Sequence, residues 1–290
     1  MRDSGQNLYV TTTAITRVAK MDEYMKANKE LWDKLAKIHY QSKFYDVEGF
    51  LNGNQTLDQI ELRELPDVSG KKLLHLMCHF GLDTLSLARL GAKVTGVDFS
   101  TEAIELAREL SKTADIPAKF ICSNIYDLPR NLNDKFDVVF TSGGILTWLP
   151  DLKDWARIIS WSLNPGGFFY IREFHPFAYV FDDREDVTEL RVEYPYFQGR
   201  EPLRFDEEGS YADPGAKTGK MPAFEWNHPI SRIINVLIDA GLTIDFLHEF
   251  PVTTYKAMPF LIEKEPGRWI LPENQDKVPL MFSLKATKRF

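Results

Sequence analysis

Cysteine is scarce in this chain, with two among 290 residues, Cys78 and Cys122. Both fall in or beside expected sheet strands, so a disulfide framework is not expected and a reducing cytoplasm is. No apolar run is long enough for a membrane-spanning helix. The opening residues Met1-Arg2-Asp3-Ser4-Gly5-Gln6-Asn7 lack the apolar core of a secretion signal. There is no long basic tract and the net charge is -7, which argues against a nucleic-acid backbone as the main partner. Two phosphate loops are also missing. Neither G-x-G-x-x-G nor G-x-x-x-x-G-K-[ST] follows the first strand, so neither NAD nor a nucleoside triphosphate is favoured.

What is present is a globular composition, 44% hydrophobic and 27% charged, sufficient for one large domain or one domain with an insertion. Residues 1–13 are polar and Thr-rich and read as a mobile arm. Ile15, Val18, Met21, Met25, Leu31, Trp32, Leu35 and Ile38 recur at helical spacing between Ala14 and Tyr40, as one or two helices. A short helix is expected over 56–65. An alternation follows: strand 73–77, helix 83–90 closed by Gly91, strand 93–98, helix 101–113 capped by Ser100, strand 118–122, strand 136–140, a helix capped by Asp151, the turn Asn164-Pro165-Gly166-Gly167, and strand 168–173. Such alternation implies βαβ units and a doubly wound parallel sheet.

The regularity breaks after Glu173. Residues 176–228, rich in Pro, Gly, aromatic and acidic residues, read as an insertion, with 190–194 and 196–197 as candidate short strands. Pro229 then suits the first turn of a helix ending before Gly241, and strands are expected at 242–250 and 278–286, the last entering antiparallel. The expected division is an N-terminal arm and helical cap (1–66), a cofactor-binding core (67–175), an inserted substrate lid (176–228) and a completion of the core sheet (229–290).

In an open parallel sheet, ligands bind beyond the carboxyl ends of the strands. There the chain places His75–Gly81, Asp98, Ser123-Asn124, Thr141–Thr147 and Glu173–Pro176. Asp98, ending the second strand, can accept hydrogen bonds from both hydroxyls of a ribose. Asn124 can accept from an adenine amino group, or it is a plain loop residue. An adenosine cofactor without phosphates needs fewer glycines, because no pyrophosphate approaches the backbone.

In this order the motifs resemble the class I S-adenosylmethionine-dependent methyltransferases, over roughly residues 70–175 and the terminal strand. The family's first motif, h-h-D-h-G-x-G-x-G, falls on Leu73-Leu74-His75-Leu76-Met77-Cys78-His79-Phe80-Gly81. His75 stands in the usual acidic place, Met77 and His79 replace glycines, and Gly81 is kept. Asp98 matches the acid ending strand two, Asn124 the acid after strand three, and Pro165-Gly166-Gly167 the turn before strand five. Further resemblance to a bacterial small-molecule branch lies in Phe44-Tyr45-Asp46-Val47-Glu48, Glu173-Phe174-His175-Pro176 and Glu225-Trp226-Asn227-His228. The resemblance implies a Rossmann-like, mostly parallel seven-stranded sheet. It implies S-adenosylmethionine as cofactor, held by His75, Met77, Cys78, His79, Gly81, Asp98, Phe99, Asn124, Ile125 and Ser142.

The loop's departures have physical limits. A non-glycine residue at positive φ costs about 1–2 kcal/mol, and His is among those better tolerated. Neutral His75 cannot set a full negative charge against the cofactor's ammonium. His75, Cys78 and His79 do not suggest a metal, since one short turn rarely supplies three ligands. Candidate bases for methyl transfer are His175, Glu173, His228 and Glu225; alternation along strand five would bring Glu173 and His175 to the pocket together. Trp148, Glu225, Trp226 and Tyr45 are candidate substrate contacts, core packing being the competing role for the tryptophans. Trp32 and His39 would join Tyr45 in a lid, or form an ordinary helix face. The expected activity is methyl transfer to a small molecule by a cytoplasmic enzyme. The rivals are a non-catalytic binder of S-adenosylmethionine or its product, a decayed site, and a nicotinamide-dependent dehydrogenase.

Overall fold

The computed structural model describes residues 5–273 and 276–289, with side chains from Met21 onward. The chain opens with α1 (Gly5–Gln41), α2 (Val47–Leu51) and α3 (Gln59–Glu64). It continues through β1 (Lys72–Leu76), α4 (Leu82–Arg89), β2 (Lys93–Asp98), α5 (Thr101–Thr113), β3 (Lys119–Cys122), α6 (Leu128–Asn131) and β4 (Phe136–Ser142). Next come α7 (Leu152–Ser162), β5 (Leu163–Phe174), β6 (Leu203–Glu207), β7 (Met221–Glu225), α8 (Ile230–Asp239), β8 (Leu242–Phe250), β9 (Ile262–Glu265), β10 (Arg268–Ile270) and β11 (Met281–Lys288).

Seven strands form one sheet in the order β3-β2-β1-β4-β5-β11-β8. All neighbours pair parallel except β11, which runs antiparallel to both β5 and β8. The Rossmann-like doubly wound sheet with an antiparallel last strand is therefore as expected. Strand order reverses between β1 and β4, which leaves a crevice beyond their carboxyl ends. Side-chain alternation along β1 divides the core. Leu74 and Leu76 pack with Trp155 and Ile159 of α7 and Val236 and Leu237 of α8. Leu73 packs on the other face with Leu87 of α4, Phe140 and Tyr170. The cap readings hold: the Ser100 side chain accepts from the Ala103 N–H, and Asp151 accepts from the N–H groups of Lys153 and Asp154.

The N-terminus differs from expectation. Residues 5–13 are helical, and α1 is a single element rather than a mobile arm followed by helices. No proline or glycine interrupts the chain between Gln6 and Gln41, so nothing ends the helix. Residues 1–4 of the expected arm, and the side chains of Ile15 and Val18, lie outside the described residues. The candidate strands at 190–194 and 196–197 do not form; only an isolated bridge joins Phe181 and Val192. Pro195 interrupts the run, and Val192 and Phe197 are exposed. Between 176 and 228 the strands that do pair are instead those of the β6–β7 hairpin. The β9–β10 hairpin was not anticipated, because its strands are short and mostly polar. Among the described residues no helix is long and apolar enough to cross a membrane.

Candidate active site

A cavity of about 1080 Å³ lies beyond the carboxyl ends of β1, β2 and β4, bounded also by α1, the β6–β7 region and residues 254–257. Its first wall is the loop after β1. Met77 and His79 have φ values of 56° and 50°, and Gly81 has 82°. The loop thus keeps the left-handed turns that glycines would supply, at about 1–2 kcal/mol for each side-chain-bearing residue. Its strain is offset by anchors. The His79 N–H donates to Asp98 Oδ2 at 2.9 Å, and His79 Nε2 stands 3.0 Å from His39 Nδ1 on α1. His39 Nε2 in turn lies 3.0 Å from Ser210 Oγ, within the loop joining β6 and β7.

His75 lines the cavity with Nδ1 2.8 Å from Thr84 Oγ1. Burial lowers its pKa to about 3, so it is neutral and gives the cavity no charge. Asp98 supplies the charge on that side. Its Oδ1 accepts from the Ser100 N–H at 2.8 Å, and each oxygen keeps lone pairs for hydroxyl donors. Burial raises Asp98 to about 6 against the pull of those N–H groups. Cys78, Phe99, Ser142, Trp148, Tyr45 and Glu225 also line the cavity. Tyr45 OH pairs with Tyr211 OH at 2.5 Å. Trp32 sits edge-on to both His79 and Trp148, at 5.4 and 5.3 Å between centroids. Glu225 Oε2 accepts from Thr147 Oγ1 at 3.0 Å, and burial, reinforced by Glu207 and Asp183, raises its pKa to about 7.

Other expected site residues stand elsewhere. On β5, Arg172 and Phe174 line the cavity, while Glu173 and His175 do not. The two do share a face, but it is the opposite one: strand alternation has two phases, and the sequence does not say which faces the ligand. Glu173 accepts from the N–H groups of Gly144, Ile145, Leu146 and Phe174, which makes it the clasp of the loop after β4. His175 is fixed by the Phe177 N–H on Nδ1 and has Glu249 Oε1 2.9 Å from Nε2. His228 is buried with Nε2 donating to the Leu149 carbonyl, and burial lowers it to about 4. Trp226 is core, its Nε1 donating to the Arg200 carbonyl. Asn124 is also absent from the cavity wall: its Oδ1 caps the short turn that follows by accepting from the Tyr126 N–H. Ile125 packs into the core beside Leu128.

Sequence reasoning passed over Asp83 and Arg172. Asp83 accepts from Thr56 Oγ1 at 2.7 Å and Ser142 Oγ at 3.1 Å, and burial raises its pKa. Arg172, 7% exposed, holds its guanidinium Nε 3.0 Å from Glu61 Oε1 and reaches towards Gly143. An acid in a helix first turn looks like an ordinary dipole partner, and that hid Asp83.

Residues 73–167 match the family model described as a methyltransferase domain. That match runs from β1 into the turn within β5 and takes in the loop after β1 and Asp98. Curated relatives include a ubiquinone biosynthesis O-methyltransferase of Proteus mirabilis, 30% identical over 43% of this chain and 53% of that protein. The counterpart from Chromobacterium violaceum is 31% identical over 36% of this chain and 44% of its own length. The chain thus spans about half the length of the curated relatives it matches. An S-adenosylmethionine-dependent methyltransferase structure from Mesorhizobium loti superposes with a TM-score of 0.53 at 22% identity, covering 82% of this chain and 99% of that one. One from Clostridium acetobutylicum gives 0.52 at 15% identity, over 90% and 97%. At such identities these structures speak for the fold.

Proposed function

We propose that the protein transfers the methyl group of S-adenosylmethionine to a small molecule. The observation that carries this is one continuous cavity, lined by the methyl-donor loop and Asp98 on one side and by Trp148, Tyr45 and Glu225 on the other. Its volume exceeds the roughly 300–1,000 Å³ of a single small-molecule pocket, which suits cofactor and acceptor together.

The residues present fit the cofactor. Asp98 would take the ribose hydroxyls. Asp83 and Arg172 offer opposite charges for the ammonium and carboxylate of the methionine end, which makes good the charge that His75 lacks. Gly81, Cys78 and His79 would shape the loop around it, and Met77 would lie against it. When bound, the cofactor supplies an electrophilic methyl on a positive sulfur. The protein's part is to hold the acceptor atom in line with it, about 3–3.5 Å away, and to exclude water with the aromatic walls. Glu225 replaces Glu173, His175 and His228 as the base: it faces the cavity and can take a proton near neutral pH. Residues 176–228, which contribute Ser210, Tyr211 and Glu225, would act as the lid over the acceptor, with the N-terminal helices as the cap.

Calorimetry with S-adenosylmethionine and S-adenosylhomocysteine, followed by a methyl-donor assay across a metabolite pool, tests the reading. Absence of heat with both ligands would sink it. Binding without transfer to any pool member would favour a non-catalytic binder, the reading that the strained, glycine-poor loop leaves open.

A further inference from the structure

Behind Glu225 the main cavity continues into a recess of about 170 Å³. The two share Thr147, Phe174, Tyr179, Asp183, Glu225 and Tyr255 among their walls. Every charged residue that lines the recess is a carboxylate: Asp183, Glu207 and Glu225. Among the described residues no lysine, arginine or histidine lines it. The three acids repel one another. Glu207 and Asp183 both add to the burial that raises Glu225, while Asp183 and Glu207 themselves are reached by solvent, where Asp183 also raises Glu207. Such mutual repulsion is relieved by an opposite charge placed between them.

The remaining walls suit a cation as well. Tyr255 meets Phe174 edge-on at 4.9 Å between centroids, and Tyr179, Phe181, Tyr194 and Phe205 complete the aromatic lining. Aromatic faces attract ammonium groups, most strongly where water is excluded. A separate sign comes from polar atoms without partners. Asn227 and Thr253, 7% and 1% exposed, line the same recess. Asn227 Oδ1 and Thr253 Oγ1 are buried and make no hydrogen bond. Unsatisfied buried oxygens are costly and uncommon, and an N–H donor in the recess would serve them. The volume is about six times the roughly 30 Å³ share of one water, room for an aminomethyl or short aminoalkyl group.

We infer that the recess is the specificity pocket of the methyl acceptor, and that the acceptor is a small molecule bearing a positively charged amine, which lodges between Asp183, Glu207 and Glu225. The inference rests on the methyltransferase reading. A cation held there also keeps Glu225 ionised, the form that a base requires.

The test is calorimetry on the full chain loaded with S-adenosylhomocysteine, using matched probes with and without the amine. The probes are tyramine, benzylamine and putrescine against 4-ethylphenol, benzyl alcohol and 1,4-butanediol, with 3-(4-hydroxyphenyl)propionate as an anionic control. At least one amine should bind about tenfold or more tighter than its neutral partner, and the anion weakest. Glu207→Gln, at a solvent-reached wall, should erase that preference and leave the S-adenosylhomocysteine affinity unchanged. If no amine binds, or neutral partners bind equally well, the inference is overturned. Retained S-adenosylhomocysteine binding then leaves the methyltransferase reading standing, and its loss overturns both.

Discussion

His79 Nε2 and His39 Nδ1 lie 3.0 Å apart, and that contact joins the loop after β1 to the N-terminal helix. One ring must donate and the other accept, so the contact requires that they are not both protonated. Burial lowers His39 to about 4. Burial, and then the neighbouring His39, lower His79.

In the unfolded chain both rings titrate near the ordinary value of about 6.5. A depressed folded pKa means that the unfolded state binds protons more readily. The contribution of the pair is therefore complete above about pH 6.5 and is lost as pH falls towards 4. Melting temperatures taken from pH 4 to 7 should fall more steeply on the acid side for the native chain than for His39→Asn. Parallel profiles would contradict the pairing.

Asp98 holds the loop through the His79 N–H and faces the cavity with its remaining lone pairs. Asp98→Ala should weaken S-adenosylhomocysteine binding by about 1–3 kcal/mol, the scale of charged hydrogen bonds lost. Isothermal titration reads this directly, and an unchanged affinity removes Asp98 from the cofactor site.

Glu173 and His175 separate a fold role from a chemical one. Glu173→Ala leaves the N–H groups of Gly144, Ile145, Leu146 and Phe174 without their acceptor. It should destabilise the protein by about 3 kcal/mol or more, since each unsatisfied buried group costs about 1–3 kcal/mol. His175→Gln, by contrast, should leave kcat and cofactor affinity unaltered. A large fall in its kcat with an intact melting temperature would restore His175 to the mechanism.

Glu225 is protonated below about pH 7 and ionised above it. If it is the base, kcat/KM rises with pH through a limb centred near 7, because only the carboxylate form can take a proton. Glu225→Gln should abolish that limb and lower kcat by about a hundredfold or more, within the usual range of base contributions. Retention of the limb in the variant assigns it to another group.

The parts legible in the sequence are those governed by local rules. β2, α5 and β8 fall where their apolar periodicity and caps put them, and Asp98 follows from its place at a strand end. The parts that were not legible depend on long-range choices. Alternation paired Glu173 with His175 correctly but left open which phase meets the cavity, and packing of β11 and the loop after β4 settles it for Arg172 and Phe174. Asn124 had a local use as a cap, and a side chain committed to its own turn gives the same sequence signal as one free for a ligand. Asp83 owes its place to Thr56, distant in sequence, whose hydroxyl donates to it.

The left-handed torsions at Met77 and His79 bear on what gives the loop its shape. Neither position is a glycine, yet the main chain takes the left-handed path at both, bolted down by Asp98 and His39. The shape of the loop is thus held by partners at residues 39 and 98, one on the N-terminal helix and one at the end of the neighbouring strand, as much as by its own residues.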